Sequence, residues 1–280
     1  MSAVSYSLVE SEEGRDVLTI FMDGDISTIT SNNDNYVIVL EEVKKDQPNA
    51  VLIRQLVNVE ESINAFLSES VDTGRVSVSG GVVLFDGSPI NGAIVNHLVN
   101  LYRLGDVYGV IALSRFLENA MQNPGGEKSM ESLWSWMKGR NFTITDDGCF
   151  IAYKGVVATD EKNVMLSVHA GDATVDGVDY KSQQIPNKVG STVTMPRENV
   201  NANTGEGCSF GLHAGTWDYA KGFAKVTLAV KIDPRDVVSV PNDCAYAKLR
   251  VSKYVIVSVA QRRFEETEDN TKKEMADSSW

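Results

Sequence analysis

The sequence is poor in the residues that build covalent and metal-held scaffolds. Its 280 residues include only three cysteines and three histidines. The cysteines, at positions 149, 208 and 244, are too far apart to suggest a pairing framework, and the histidines show no metal-ligand spacing. We therefore expect no metal site, no bound cofactor and a reducing compartment such as the cytosol.

Long hydrophobic runs are also missing. No segment approaches the roughly 18 apolar residues that a membrane-spanning helix needs. The first residues lack the basic start and apolar stretch of a signal peptide. We expect no transmembrane segment, and membrane association only through a partner. The P-loop pattern is absent too, which argues against ATPase chemistry in the chain itself.

Positive charge is scarce, because 26 Lys and Arg face 38 Asp and Glu, a formal net charge of −12. An acidic surface repels phosphate, which disfavours a nucleic-acid partner. The charge is uneven: residues 1–72 hold fourteen acidic and four basic side chains, whereas 221–253 hold seven basic and three acidic ones. This asymmetry suits contact with a protein partner or between copies of the chain, although a lopsided solvated surface would look the same.

The order of the patterns predicts an α+β fold. We expect an N-terminal mixed α/β and helical region, followed by a C-terminal, predominantly antiparallel β domain. Within it we predict a small acidic α/β module, a β-hairpin with three helices, the C-terminal β domain and a flexible tail; their ranges are 1–72, 73–145, 146–261 and 262–280.

Individual elements follow from periodicity and turn residues. The Gly80-Gly81 pair between β-branched runs predicts a two-residue hairpin. Stripes of apolar residues predict three amphipathic helices after it. The remaining predicted elements are strands over 4–9, 16–21, 149–154, 164–168, 191–195, 225–232, 236–240 and 249–259, and helices over 36–45, 50–57 and 60–67.

Six pieces in order carry a resemblance to a known family: 83–90, 113–119, 145–154, 189–197, 208–213 and 236–241, followed by Tyr254. The chain resembles the RIIB-like (rapid-lysis) proteins of tailed bacteriophages from about residue 75 to 259. The resemblance implies an early phage accessory protein in the cytoplasm of the infected host. It also implies a partner RIIA-like ATPase, and a role in lysis timing or in overcoming host exclusion or toxin systems.

The segment around His213 is the strongest candidate for a site, because Gly211 and Gly215 bracket the histidine on a turn. Together with Tyr219, Arg197, Tyr153 and Lys154 it forms our candidate ligand or contact site. In a binding or scaffold module the His213 ring would bond backbone groups of a neighbouring loop. Lys154 would then protect an edge strand, and Arg197 would form a salt bridge.

An enzymatic reading of the same residues remains open. The pattern loosely resembles small ADP-ribosyltransferase-like domains, in which His213 would contact ribose, Tyr219 would stack on a ring and Arg197 would meet a phosphate. Residues 249–259 contain no Asp or Glu to stabilise the transition state, which argues against transferase activity. A third interpretation is nucleic-acid binding through Lys248, Arg250 and Lys253, with Tyr246 and Tyr254 interleaved to stack on bases.

Among these readings we favour an interaction protein without catalysis of its own. Glu60 and Glu61 of the acidic module are the expected contacts for a protein partner, either an RIIA-like ATPase or a host defence protein. We also expect homo-oligomers, since repeated weak sites give avidity.

Overall fold

The structure, a computed structural model, describes residues 4–10, 15–33, 35–70, 75–80, 82–89, 92–104, 106–137, 142–161 and 163–261. The chain divides into two compact units, Met1–Val107 and Tyr108–Trp280. Helices and mostly antiparallel strands occur in both, which confirms the α+β class. The finer division into four segments stays a prediction, and the tail over 262–280 lies outside the described residues.

In its described residues, the first unit contains two small antiparallel sheets and four helices. Its elements are β1 (Val4–Val9), β2 (Val17–Met22), β3 (Asp25–Thr30), α1 (Tyr36–Val43), α2 (Ala50–Val57), α3 (Val59–Ser70), β4 (Val76–Ser79), β5 (Val82–Phe85), β6 (Ser88–Pro89) and α4 (Gly92–Arg103).

The first sheet has the order β1-β2-β3 and buries one face. Alternate residues of β2, Leu18 and Ile20, are fully buried against Val39 of α1 and Ile53 of α2. Strand β3 was not predicted from the sequence, although Asp23–Gly24, a typical hairpin turn, precedes it. Both turn residues have positive φ, +52° and +91°, as a tight hairpin turn requires.

The second sheet confirms the hairpin predicted at Gly80-Gly81, with Ser79 paired to Val82. Helix α3 is attached to this hairpin through Asn64. Its amide Nδ2 donates to Val78 O at 2.7 Å and its Oδ1 accepts from Val78 N at 2.7 Å. The side chain therefore bonds β4 much as a neighbouring strand would.

The second unit is dominated by a nine-stranded antiparallel sheet. Its helices are α5 (Val107–Met121), α6 (Gly126–Met137) and α7 (Trp217–Phe223). Its strands are β7 (Phe150–Ala158), β8 (Val164–Val175), β9 (Val178–Lys188), β10 (Thr192–Thr194), β11 (Leu212–Gly215), β12 (Val226–Ile232), β13 (Val237–Ser239), β14 (Lys248–Val251) and β15 (Lys253–Val259).

Five of these strands close into a barrel. The sheet order is β13-β14-β11-β7-β12-β15-β10-β8-β9, and an additional pairing joins β7 to β8. The ring β7-β12-β15-β10-β8 is therefore complete, and the other strands extend the sheet beyond it. Because closure pairs both sides of each strand, it removes exposed edges from the ring.

The C-terminal strands differ from the prediction in two ways. The run 249–259, read as one strand, divides at Ser252 into β14 and β15, and these strands occupy different places in the sheet. The backbone N–H of Ser252 donates to Asp236 O at 2.9 Å, which ties down the break. Strand β9 was missed, although Asp176–Gly177 with positive φ marks the hairpin before it.

The segment 145–149 forms a turn against α5. Gly148 has φ +75°, and a Cβ there would lie 2.5 Å from the carbonyl carbon of Arg115. Only glycine fits without displacing α5. Asp147 accepts from Lys231 Nζ at 2.8 Å and from Thr145 Oγ1 at 2.5 Å. Burial works against the ionised carboxylate, but these hydrogen bonds prevail and lower the pKa of Asp147 to about 2.

Membrane crossing by a helix finds no support in the described part of the chain, where no helix has the necessary length and apolar character.

Arg250 in β14 fixes the long loop between β10 and β11. It is fully buried, and its guanidinium donates to Asn203 O at 2.9 Å, Gly207 O at 3.2 Å and Glu206 O. A buried arginine bonded mainly to carbonyls holds that backbone in one conformation, because each released carbonyl would lose its partner.

Replacing Arg250 should therefore damage folding. We expect Arg250→Met to lower the free energy of unfolding by about 3 kcal/mol, because it leaves loop carbonyls without donors. Chemical denaturation followed by tryptophan fluorescence measures this loss. The exposed Lys253, on the next strand, provides the control: Lys253→Met should stay within about 0.5 kcal/mol of the parent protein. Equal stability of the two variants would contradict the structural role of Arg250.

Candidate functional site

A cleft of about 1440 Å³ opens where β7 changes neighbours. On one side of β7, Tyr153 pairs with Gly215 of β11, and pairing with β8 begins only at Val156. Lys154 and Gly155 lie between these two pairings and line the cleft. The opening in the wall is thus a consequence of the way the barrel closes.

Four of the five residues predicted to form a site line this cleft: Tyr153, Lys154, His213 and Tyr219. They come from β7, β11 and α7, and the fold brings them together across 66 residues of sequence. These four residues therefore lie in one cleft, and their role as a site stays a prediction. What they bind remains a matter for proposal.

Lys154 has an unusual environment for a lysine. Its cross-strand neighbour on β12 is the fully buried Leu228, so its side chain shares the apolar face of the barrel. Its Nζ donates to His213 O at 3.0 Å and lies 5.6 Å from the centre of the Tyr254 ring. Within the described residues no carboxylate pairs with it. Burial lowers the pKa of Lys154 to about 8.

The structure corrects the expectation that Lys154 protects an edge strand. Strand β7 lies in the middle of the sheet, paired with β11, β12 and β8. A cation at such a position opposes folding unless it has a partner, because burial removes its hydration. A role in binding an anion therefore explains Lys154 better than a role in preventing unwanted strand pairing.

His213 lies on β11, opposite Arg250 of β14. Its Nε2 is buried and has no hydrogen-bond partner among the described residues, whereas the sequence reading expected backbone partners for the ring. Burial and the nearby charges of Lys154, Arg250 and Lys248 lower the pKa of His213 to about 3. The imidazole is therefore neutral at pH 7.

Aromatic side chains line the outer part of the cleft. Tyr219 follows the N-cap Thr216 of α7, and its ring stacks on Phe223 with centroids 5.9 Å apart. Phe223 in turn makes an edge contact with His169. Phe210, in the loop before β11, is 79% exposed and also lines the cleft. The sequence reading missed Phe210 and Phe223 as cleft residues, although Phe210 lies within a recognised piece.

Tyr254 and Asn187 form a buried polar pair beside Lys154. The Tyr254 hydroxyl donates to Asn187 Oδ1 at 2.7 Å, and both side chains are almost completely buried. Burial raises the pKa of Tyr254, so the phenol stays neutral and cannot balance the lysine charge. Tyr254 was expected to stack on nucleic acid, a role that its burial prevents.

Arg197 does not line the cleft. Its guanidinium donates to Asn123 Oδ1 and Val237 O, both at 2.8 Å, and to Arg235 O at 2.9 Å. These partners connect the end of α5 to β13. None is a carboxylate, so the structure replaces the predicted salt bridge with carbonyl and amide acceptors. Because its guanidinium is committed to these acceptors and Arg197 is absent from the cleft lining, the phosphate contact of the ADP-ribosyltransferase-like interpretation loses support.

The basic row predicted for nucleic acid is not presented to solvent. Arg250 is fully buried and Lys248 is 4% exposed. Lys248 Nζ donates to Asp243 Oδ2 at 2.9 Å and to Gly207 O. Lys253 alone of the three is exposed. Lys248 and Arg250 alternate along β14 because both hold the loop between β10 and β11. The nucleic-acid hypothesis did not include this role.

The expected partner contacts Glu60 and Glu61 lie in the first turn of α3, in the first unit. Glu60 Oε2 accepts from Gly80 N at 3.0 Å, so this carboxylate serves the hairpin. Glu61 is exposed. Of the two, Glu61 is the one whose charge faces solvent.

The chemistry available in the cleft is that of binding. It offers one poorly compensated cation, a neutral imidazole nitrogen and several aromatic faces, a combination that can hold an anion with an apolar body. Within the described ranges no group of three or more His, Cys, Asp or Glu is placed to hold a metal ion.

The fold and this cleft define an α+β protein built on a closed antiparallel barrel, and no solved structure matches it. The chain belongs to the family described as bacteriophage T4 protein rIIB, whose model matches residues 11–266. Protein rIIB of Enterobacteria phage T4 is 27% identical over 251 residues, which cover 88% of this chain and 72% of that protein.

If Lys154 is kept for binding a ligand and does not stabilise the fold, replacing it with an apolar residue should stabilise the protein. We expect Lys154→Met to raise the free energy of unfolding at pH 7 by about 1–3 kcal/mol, because it removes a desolvated charge. Since the folded pKa lies below the unfolded one, the penalty acts fully below pH 8 and fades as the pH rises towards about 10.4. The difference in the free energy of unfolding between Lys154→Met and the parent protein should therefore disappear as the pH rises from 8 to about 10.4.

Denaturation curves at pH 7 and pH 10 measure this gap. Lys181→Met, which removes an exposed lysine from the same cleft, is the matched control and should show no gap at either pH. A loss of stability in Lys154→Met at pH 7 would mean that the lysine supports the fold.

Proposed function

We propose that this RIIB-like phage protein is an accessory factor that acts by protein–protein contact in the cytoplasm of the infected host. Its role would lie in lysis timing or in counter-defence against host exclusion systems, and its partner would be an RIIA-like ATPase or a host defence protein. Membership of the rIIB family supports the phage context. The proposal assigns the chain no catalysis of its own.

The observation that carries the contact proposal is the surface of α1. Val37 is 62% exposed and Ile38 is 51% exposed, although aliphatic side chains of a short helix are normally turned inward. Glu41, one turn further along the helix, is exposed beside them. Exposed aliphatic groups flanked by charge are typical of interaction surfaces.

Acidic groups of the same unit extend this argument. Glu61 is exposed on α3, and residues 1–72 hold fourteen acidic and only four basic side chains. Such an excess steers a basic partner surface towards the unit and repels acidic competitors. Association between copies of the chain would add avidity to each weak contact.

The ADP-ribosyltransferase-like alternative is less well supported. The cleft gathers His213 and Tyr219, but Arg197 is committed to α5 and β13. The nucleic-acid alternative loses the support of Lys248 and Arg250, both of which are buried. Contact with a protein therefore explains more of the exposed groups than either alternative.

Charge reversal tests the proposal. Tagged protein is mixed with the purified RIIA-like ATPase of the same phage and, separately, expressed during infection, and the captured complexes are weighed by native mass spectrometry. We expect Glu61→Lys to weaken the complex about 10-fold, because a charge now repels the basic partner surface. Glu60→Lys should also weaken it, but at the expense of the hairpin hydrogen bond to Gly80.

Asp160→Lys, an equal charge reversal at an exposed position of the second unit, is the control and should leave the complex unchanged. If Asp160→Lys weakened the complex as much as Glu61→Lys, the change in net charge would explain the effect and no local contact at Glu61 would be needed. A parent protein that captures no partner in either setting would refute the proposed function.

A further inference from the structure

In the described part of the chain, no carboxylate balances the charge of Lys154 in the cleft beside β7. Lys154 has three N–H donors, and its one hydrogen bond goes to a backbone carbonyl, His213 O at 3.0 Å. The Tyr254 ring supplies the second contact, at 5.6 Å from Nζ, and is neutral. An ammonium group in these surroundings can donate its remaining hydrogen bonds to an anion.

The charged neighbours of Lys154 strengthen the positive field. His213 stands beside Lys154, Lys248 and Arg250, and all three positive charges act to keep its ring neutral. Lys248 is compensated by Asp243, whereas Arg250 donates mainly to carbonyls. In a chain of net charge −12, this inner part of the cleft is thus locally positive.

The acidic residues of the cleft do not neutralise this region. Asp172 Oδ1 accepts from Ser182 N at 2.7 Å, and Asp179 Oδ1 accepts from Thr174 Oγ1 at 2.7 Å. Both bonds hold the exposed hairpin of β8 and β9. Neither carboxylate makes a recorded contact with Lys154, and both are committed to their own hairpin.

A second observation points to a ligand independently of the lysine. The Nε2 atom of His213 is buried and has no partner among the described residues, and His213 belongs to the lining of the same cleft. Buried polar atoms are almost always hydrogen-bonded, so an orphan nitrogen marks a place for a missing group. It lies on the residue whose carbonyl oxygen already holds Lys154 Nζ.

The geometry points to a binding site for a small organic anion. We propose that its phosphate or carboxylate group accepts hydrogen bonds from Lys154, and that His213 Nε2 contacts a neighbouring polar atom. The aromatic side chains of Tyr219, Phe223 and Phe210 then cover the apolar or ring-shaped body of the ligand. The volume of about 1440 Å³ accommodates a molecule of mononucleotide size.

This inference does not depend on the partner contact proposed for the first unit. All residues involved belong to Tyr108–Trp280, and the test needs no second protein. Failure of the ligand site would leave the contact proposal intact, and the reverse also holds.

Calorimetric titration of the full chain tests the site with three probes. AMP supplies a phosphate with a ring, benzoate a carboxylate with a ring, and adenosine the ring of AMP without its charge. We expect binding of AMP or benzoate, with the better of the two showing which anionic group the site takes. Adenosine should bind at least about 10-fold more weakly than AMP if the phosphate arm is correct.

Lys154→Met should reduce the affinity for the binding anion by about 10-fold or more, since a charged hydrogen bond is lost. The control Lys181→Met removes the same charge from the exposed part of the cleft and should change the affinity less than about twofold. Circular dichroism verifies that both variants are folded, and Lys154→Gln gives a second, polar replacement.

Three results would overturn the site. The first is that neither AMP nor benzoate binds the parent protein at millimolar concentration. The second is that Lys154→Met and Lys154→Gln bind as well as the parent. The third is that Lys181→Met loses as much affinity as Lys154→Met, which would reduce binding to general attraction by charge.

Discussion

The second unit depends on the pairing of β7. This strand joins β12 along almost its whole length on one side, and divides its other side between β11 and β8. The division closes the barrel and at the same time leaves a gap in the wall at Lys154 and Gly155. Gly155 is required at this place, because a Cβ there would lie 2.7 Å from Ala220 O of α7.

The gap gives the cleft its chemical character. A barrel strand alternates between its two faces, so a residue two positions from Ala152 has to share the apolar side. Lys154 occupies that position, and the cost of burying its charge is offset only by a carbonyl and an aromatic ring. Proteins keep such costly groups where they serve binding or chemistry, which links the barrel topology to the proposed anion site.

Local elements could be predicted from the sequence, whereas long-range pairings could not. The Gly80-Gly81 pair carries its own hairpin signal, and the turn at Asp176–Gly177 carries one that was overlooked. The burial of Arg250 depends on carbonyl groups 43 and 47 residues earlier, and the break at Ser252 depends on Asp236, 16 residues earlier. No local pattern reveals either contact. The alternating basic residues of β14 look like a solvated face for the same reason.

Of the five residues predicted to form the candidate site, four line the cleft and Arg197 does not. Arg197 appeared equivalent to the others because residue type alone cannot show that its acceptors are Asn123, just after α5, and Val237 of β13. The unpaired state of Lys154 was likewise invisible, since an alternating strand with one lysine resembles an exposed edge. The structure shows that Lys154 is paired with Leu228 of β12 and so lies on the apolar face of the sheet.

The protonation of Lys154 is the most direct test of this account. NMR of protein labelled with ¹³C and ¹⁵N on lysine follows the Lys154 signal through a pH titration, with Lys154→Met assigning the resonance. The account predicts a midpoint at about pH 8, as expected for a buried ammonium without a carboxylate. A midpoint near 10.4 would show a hydrated or paired lysine and would contradict the account.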